Sequence, residues 1–138
     1  VTSLSIEADH ADAWLALLEP EPGLMIYDGA VPNGATAPYA LLYIAGTFAP
    51  GAPGNALDGA SREFTSRVIV HCVGADQVAA RAIAGKVRSR LLDVRPVITG
   101  RSCGMIRQDA ALDPVRDETT GSLVMDMVTI YRFASEPS

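Results

Sequence analysis

Two periodicities alternate along the chain. Between residues 5 and 19 the apolar positions Ala11, Trp14, Leu15, Leu17 and Leu18 recur near helical spacing and predict a helix. Asp9 and Asp12 stand in its N-terminal half, where carboxylates suit the helix dipole, and Pro20 and Pro22 end it. The period then shortens. Residues 24–28 (Leu-Met-Ile-Tyr-Asp) predict a short strand, and residues 29–38, with two glycines and two prolines, predict a loop. Residues 39–45 are apolar on both faces, which predicts a strand buried on both sides. Residues 46–61 are dominated by Gly, Ala and Pro and predict a long excursion, a length that in a small domain is usually functional or disordered.

The second half carries the strongest patterns. In 62–73, Phe64, Ser66, Val68, Val70 and Cys72 alternate with Thr65, Arg67, Ile69, His71 and Val73, so each set takes one face of a strand. Asp76 suits a helix N-cap, and residues 77–92 predict the best helix, with Ala80, Ile83, Ala84, Val87 and Leu91 on its apolar face. Arg81, Lys86, Arg88 and Arg90 crowd the remaining surface. Residues 96–107 predict a strand interrupted near Gly100 and Gly104, where a bulge fits. Residues 108–121 are polar and predict a loop, and residues 122–134 alternate as a last strand. The order α-β-β-β-α-β-β predicts an α+β domain spanning 1–138. It has a mostly antiparallel sheet of four to five strands flanked by two helices.

Composition narrows the function. A chain of 138 residues that is 49% hydrophobic can fold around one modest core. A net charge of −5 argues against gripping duplex DNA through its phosphates, though not against a conduit that DNA slides past. Only 20% of residues are charged, which hints at surface covered by other subunits. Two cysteines, Cys72 and Cys103, are too few for a disulfide framework and read as unpaired thiols. No segment has the length of a membrane span, and the expectation is a soluble protein made inside a cell.

Candidate chemistry is sparse. His10 beside Asp9 and Asp12 reads as part of a solvated helix face rather than a metal site. His71 and Cys72 are adjacent in a strand, point to opposite faces and do not form a catalytic pair. Cys103, in Arg101-Ser102-Cys103-Gly104, is the one candidate nucleophile, in a turn-like segment that no helix follows. The glycines at 46, 51, 54 and 59 precede a strand rather than a helix, so they do not make a phosphate loop. The acids of 109–118 lack the alternation of a calcium loop. These residues point to no enzyme, cofactor or metal.

The order of segments is informative as a whole. An N-terminal helix precedes GLMIYDGAVPNGATAPYALLYIAG, then REFTSRVIVHCVGADQVAARAIAGKVRSRLLD, then PVITGRSCGMIRQDAALDPVRDETTGSLVMDMVTIYRF. A Pro-Tyr strand, a strand ending in Cys-Val-Gly, an Ala-rich helix with Val-Arg-x-x-Leu, a Thr-Gly-Arg step and a final strand bearing Tyr131 follow in turn. This arrangement resembles the tail terminator proteins of siphophages over nearly the whole chain.

The resemblance implies a structural virion protein at the head–tail junction. Six copies would form a ring on the end of the tail tube and stop its growth. The ring would offer a surface to the head-completion (stopper) protein, and DNA would pass its bore without specific binding. The implied partners are further copies of the chain, the major tail tube protein and the head-completion protein, with no membrane. Ring closure requires head-to-tail contacts between unlike patches. Arg81 and Arg88 on the second helix, and Asp113, Arg116 and Asp117 in the 108–121 segment, are the expected interface residues. The rival expectations are a head–tail adaptor of the phage neck and a small-ligand-binding α+β domain with a concave apolar pocket.

Overall fold

A computed structural model of the chain describes residues 5–48, 63–117 and 124–138. Helix α1 covers Ile6–Leu18 and helix α2 Gln77–Leu91; the strands are β1 (Ile26–Asp28), β2 (Tyr39–Phe48), β3 (Phe64–Gly74), β4 (Arg101–Cys103), β5 (Arg107–Ala111), β6 (Val115–Asp117) and β7 (Val124–Pro137). The seven strands form one sheet in the order β1-β2-β3-β7-β4, with β5 and β6 also paired to β7. Every pairing is antiparallel except β1 with β2. The short β4, β5 and β6 succeed one another along the same side of β7, so the sheet is five strands wide. The architecture is α+β, as the sequence predicts.

Local chemistry sets both helices. Ser5 caps α1, its Oγ accepting from the Ala8 N–H at 3.1 Å, and Glu7 and Asp9 occupy the first turn. Asp76 caps α2 in the same manner, accepting from Ala79 N–H at 2.8 Å. The predicted apolar face of α2 is the observed one, since Ala80, Ile83, Ala84, Val87 and Leu91 are all buried. In α1 the buried set is His10, Ala13, Trp14 and Leu18, while Leu15 and Leu17 are half-buried against the core.

Both helices pack on one face of the sheet. That face presents Ala40 and Leu42 from β2, Val68, Val70 and Cys72 from β3, and Tyr131 and Phe133 from β7, all in one buried cluster with the helix residues. The alternation read in 62–73 holds, with Phe64, Ser66, Val68, Val70 and Cys72 all buried. The expectation for 39–45 does not hold in full. The strand is buried on the Ala40–Leu42 side only, and Tyr43 on the other side is 46% exposed. An apolar run looks the same whether one or two layers cover it, and here no described helix lies on the second face.

Three further boundaries differ. β2 runs to Phe48, paired with Phe64, so the start of the expected 46–61 excursion is strand; residues 49–61 lie outside the described residues. Of the expected 96–107 strand only Arg101–Cys103 and Arg107, the first residue of β5, are strand; Arg101 N–H bonds Ile98 O in a turn where Gly100 has φ +83°. Ile98, Cys103 and Ile106 all reach the core, at a spacing no straight strand provides. The expected loop at 108–121 is mostly strand as far as described, in β5 and β6. Its polarity is that of an exposed sheet edge, where charged side chains cost little and discourage stray pairing. The register shift expected near Gly100 or Gly104 falls instead between Gln108 and Ala110.

Candidate interaction surface

The helices segregate charge. α1 carries Glu7, Asp9 and Asp12 and no Lys or Arg; α2 carries Arg81, Lys86, Arg88 and Arg90 and no acid. Two of the α2 cations are used internally. Arg90 pairs with Glu21 at 2.6 Å, and Lys86 donates to Pro22 O at 3.3 Å, which ties the α1–β1 connection to α2. Arg81 and Arg88 lie exposed on one flank of α2 and form no ion pair with a described residue.

The other three expected interface residues sit elsewhere. Asp113 is exposed between β5 and β6, and Arg116 and Asp117 lie in β6, at the edge of the sheet. The fold therefore makes two sets, one on α2 and one on the β6 edge. Near that edge, the carboxylate of Asp109 bridges Arg67 (3.0 Å) and Arg132 (2.5 Å). Arg67 and Arg132 are directly paired across β3 and β7, so without Asp109 two like charges would face each other. Asp109 is the residue bypassed by the register shift, and the irregularity is what aims it at both arginines. Arg107 pairs with Asp93.

On the helix-free face His71 Nδ1 meets Asp126 Oδ2 at 2.8 Å, and the ring of Tyr43 lies edge-on to His71 at 5.6 Å. Tyr27 and Tyr39 contact each other beside them, with ring centroids 5.5 Å apart. The Tyr39 phenol is pushed up from its usual range, first by burial and then by Asp117 and Asp126. This cluster joins five strands and had no signal in the linear sequence.

His10 is the clearest correction. It is 1% exposed rather than on a solvated face. Its Nδ1 lies 2.6 Å from Ile6 O and its Nε2 2.7 Å from Ser135 Oγ. A carbonyl can only accept, so Nδ1 carries the proton, Nε2 accepts from the Ser135 hydroxyl, and that hydroxyl accepts from Arg101 Nε at 2.8 Å. Burial holds His10 below its ordinary range, against the raising influence of the Ile6 carbonyl. The chain Arg101–Ser135–His10–Ile6 ties β4, β7 and α1 together. A serine beside a histidine is the geometry of a nucleophile, but Ser135 is buried and its oxygen is occupied by Arg101. The cleft next to it, of about 250 Å³, is lined by Glu63, Arg95, Ser102, Cys103, Gly104, Ala134, Ser135 and Glu136, without the apolar walls of a small-ligand site.

The thiols are equally unsuited to attack. Both are free and buried. Burial pushes Cys72 up to about 12, and it raises Cys103 despite Arg101 and Arg95 nearby. Among the described residues no group of three His, Cys, Asp or Glu could hold a metal ion, and no helix is long and apolar enough to cross a membrane.

No family profile matches the chain, and no curated protein matches it in sequence. Its fold does have a relative among solved structures. A chain of the virion of a native gene transfer agent particle superposes with a TM-score of 0.61 at 16% identity, over 96% of this chain and 95% of that one. At that identity the two share a fold from end to end.

Proposed function

We propose that the chain is a structural subunit of a phage-like virion, and more finely a tail terminator. Six copies close into a ring on the head-proximal end of the tail tube and end its polymerisation. The ring presents a surface to the head-completion protein and leaves a bore for DNA. The observation that carries the reading is the end-to-end likeness of fold to a virion chain, reached independently of the segment order that resembles tail terminators. The buried, hydrogen-bonded state of His10 and Ser135 and the raised thiols favour a structural role over catalysis. The net charge of −5 suits a conduit that releases DNA. Arg81, Arg88, Asp113, Arg116 and Asp117 are proposed contact residues between subunits or with the tube.

The test is the mass of the purified chain over a concentration series, with electron microscopy of the same sample and binding to purified tail tubes. Six-membered rings with an axial hole, or capping of tubes, are expected. A dimer at all concentrations that ignores tubes overturns the reading. Binding to capsids in preference to tubes replaces it with a head–tail adaptor.

A further inference from the structure

The two most exposed large hydrophobic side chains among the described residues are Val97 (90%) and Val78 (70%), and they sit in patches of opposite charge. Val97 borders a groove of about 490 Å³ between α1 and the turn before β4, lined by Asp9, Asp12, Ala13, Ala16, Val97, Ile98 and Thr99. Four of its seven lining residues are apolar, both of its charged ones are acidic, and neither Asp9 nor Asp12 forms an ion pair with a described residue. Val78 begins the outer face of α2. At 100° per residue, Val78, Ala82, Gly85 and Ser89 fall within about 60° of one another, and Arg81 and Arg88 run along one side. The result is a smooth, narrow ridge with two available cations. The ridge and the groove share no residue, so one copy can offer its ridge to one neighbour and its groove to another. That is the requirement for a head-to-tail ring.

We propose that successive subunits join by seating the Val78–Ser89 ridge of one copy in the α1 groove of the next, with Arg81 and Arg88 against Asp9 and Asp12. This rests on the ring reading above and names its contact. The β6 edge is the poorer match for the ridge. There Asp113 is interleaved with Arg116, whereas every charged side chain of α1 is acidic and the groove beside it is concave. Opposite charges set the register and orientation of such a contact, and the two valines supply its dry centre.

The experiment uses charge exchange at exposed positions in the full chain. Self-association is measured by sedimentation for wild type, for Arg81→Glu/Arg88→Glu, for Asp12→Arg/Thr99→Arg, and for the quadruple variant, with circular dichroism confirming that each is folded. Each double variant is expected to weaken association at least about tenfold, since like charges then face each other. The quadruple variant, and an equimolar mixture of the two doubles, are expected to recover it. Recovery of Arg81→Glu/Arg88→Glu by Asp113→Arg/Asp117→Arg instead would overturn the proposal, as would double variants that associate like wild type. Rings that survive every reversal refute this contact and leave the terminator reading standing. A wild type monomeric at every concentration overturns the self-contact, and tube binding then judges the terminator reading by itself.

Discussion

The single tryptophan offers a direct measure of how the helix layer is fastened to the sheet. Trp14 is fully buried, its ring lies 5.0 Å from that of Phe133, and its Nε1–H donates to Ser66 Oγ at 2.9 Å. Ser66 lies in the middle strand of the sheet, so this one hydrogen bond joins α1 to β3. Ser66→Ala removes the acceptor without opening a cavity larger than a hydroxyl. The indole N–H is then left buried without a partner, which costs about 1–3 kcal/mol. The lost contact from Ser66 Oγ to Ala45 O, at 3.4 Å, adds little. With a urea slope of about 2 kcal/mol/M, a loss of about 2 kcal/mol lowers the unfolding midpoint by about 1 M. Emission of Trp14 follows the transition, at fixed protein concentration so that self-association does not enter. Trp14→Phe removes the donor, so Ser66→Ala in that background, followed by circular dichroism, should cost under about 0.5 kcal/mol. Equal costs in both backgrounds would refute the claim that the hydrogen bond, rather than the serine itself, fastens the helix.

Three other outcomes are expected. Gly74→Ala places a Cβ 2.4 Å from Ala80 N and 2.7 Å from Ala79 C, backbone atoms that cannot swing aside; it should cost about 3 kcal/mol or more, and a melting temperature within a degree or two of wild type would contradict this. His10 has a folded pKa below its ordinary 6.5, so its contribution to stability is present above pH 6.5 and is lost as pH falls from there through the folded value. The difference in urea midpoint between wild type and His10→Gln should therefore shrink from pH 7.5 to pH 5, and a difference that is constant or grows would refute the neutral, accepting Nε2. Thiol labelling of the native chain at pH 8 should be slower than that of a free model thiol at both Cys72 and Cys103, and fast labelling at Cys103 would reopen it as a nucleophile.

The elements whose pattern is local and repeated are legible along the chain. The α2 face from Ala80 to Leu91, the Asp76 cap and the alternation of Phe64 to Cys72 are read from neighbours three, four or two residues away, and the structure has them as expected. The α+β class follows from their order. Features that depend on a distant second partner emerge only once the chain is folded. Residues 108–117 look like a polar loop until β7 lies beside them, because an edge strand needs hydrogen bonds on one side only and can keep a polar, exposed surface. His10 looks solvated beside Asp9 and Asp12 until Ser135 and Phe133 arrive from the far end of the chain. The pairing of His71 with Asp126 and the fork of Asp109 onto Arg67 and Arg132 join residues dozens of positions apart. The opposite charges of α1 and α2 were written in the sequence, but the acidic groove was not. Its walls are a helix and a turn about eighty residues later, and only packing both against the same core makes them one concave surface.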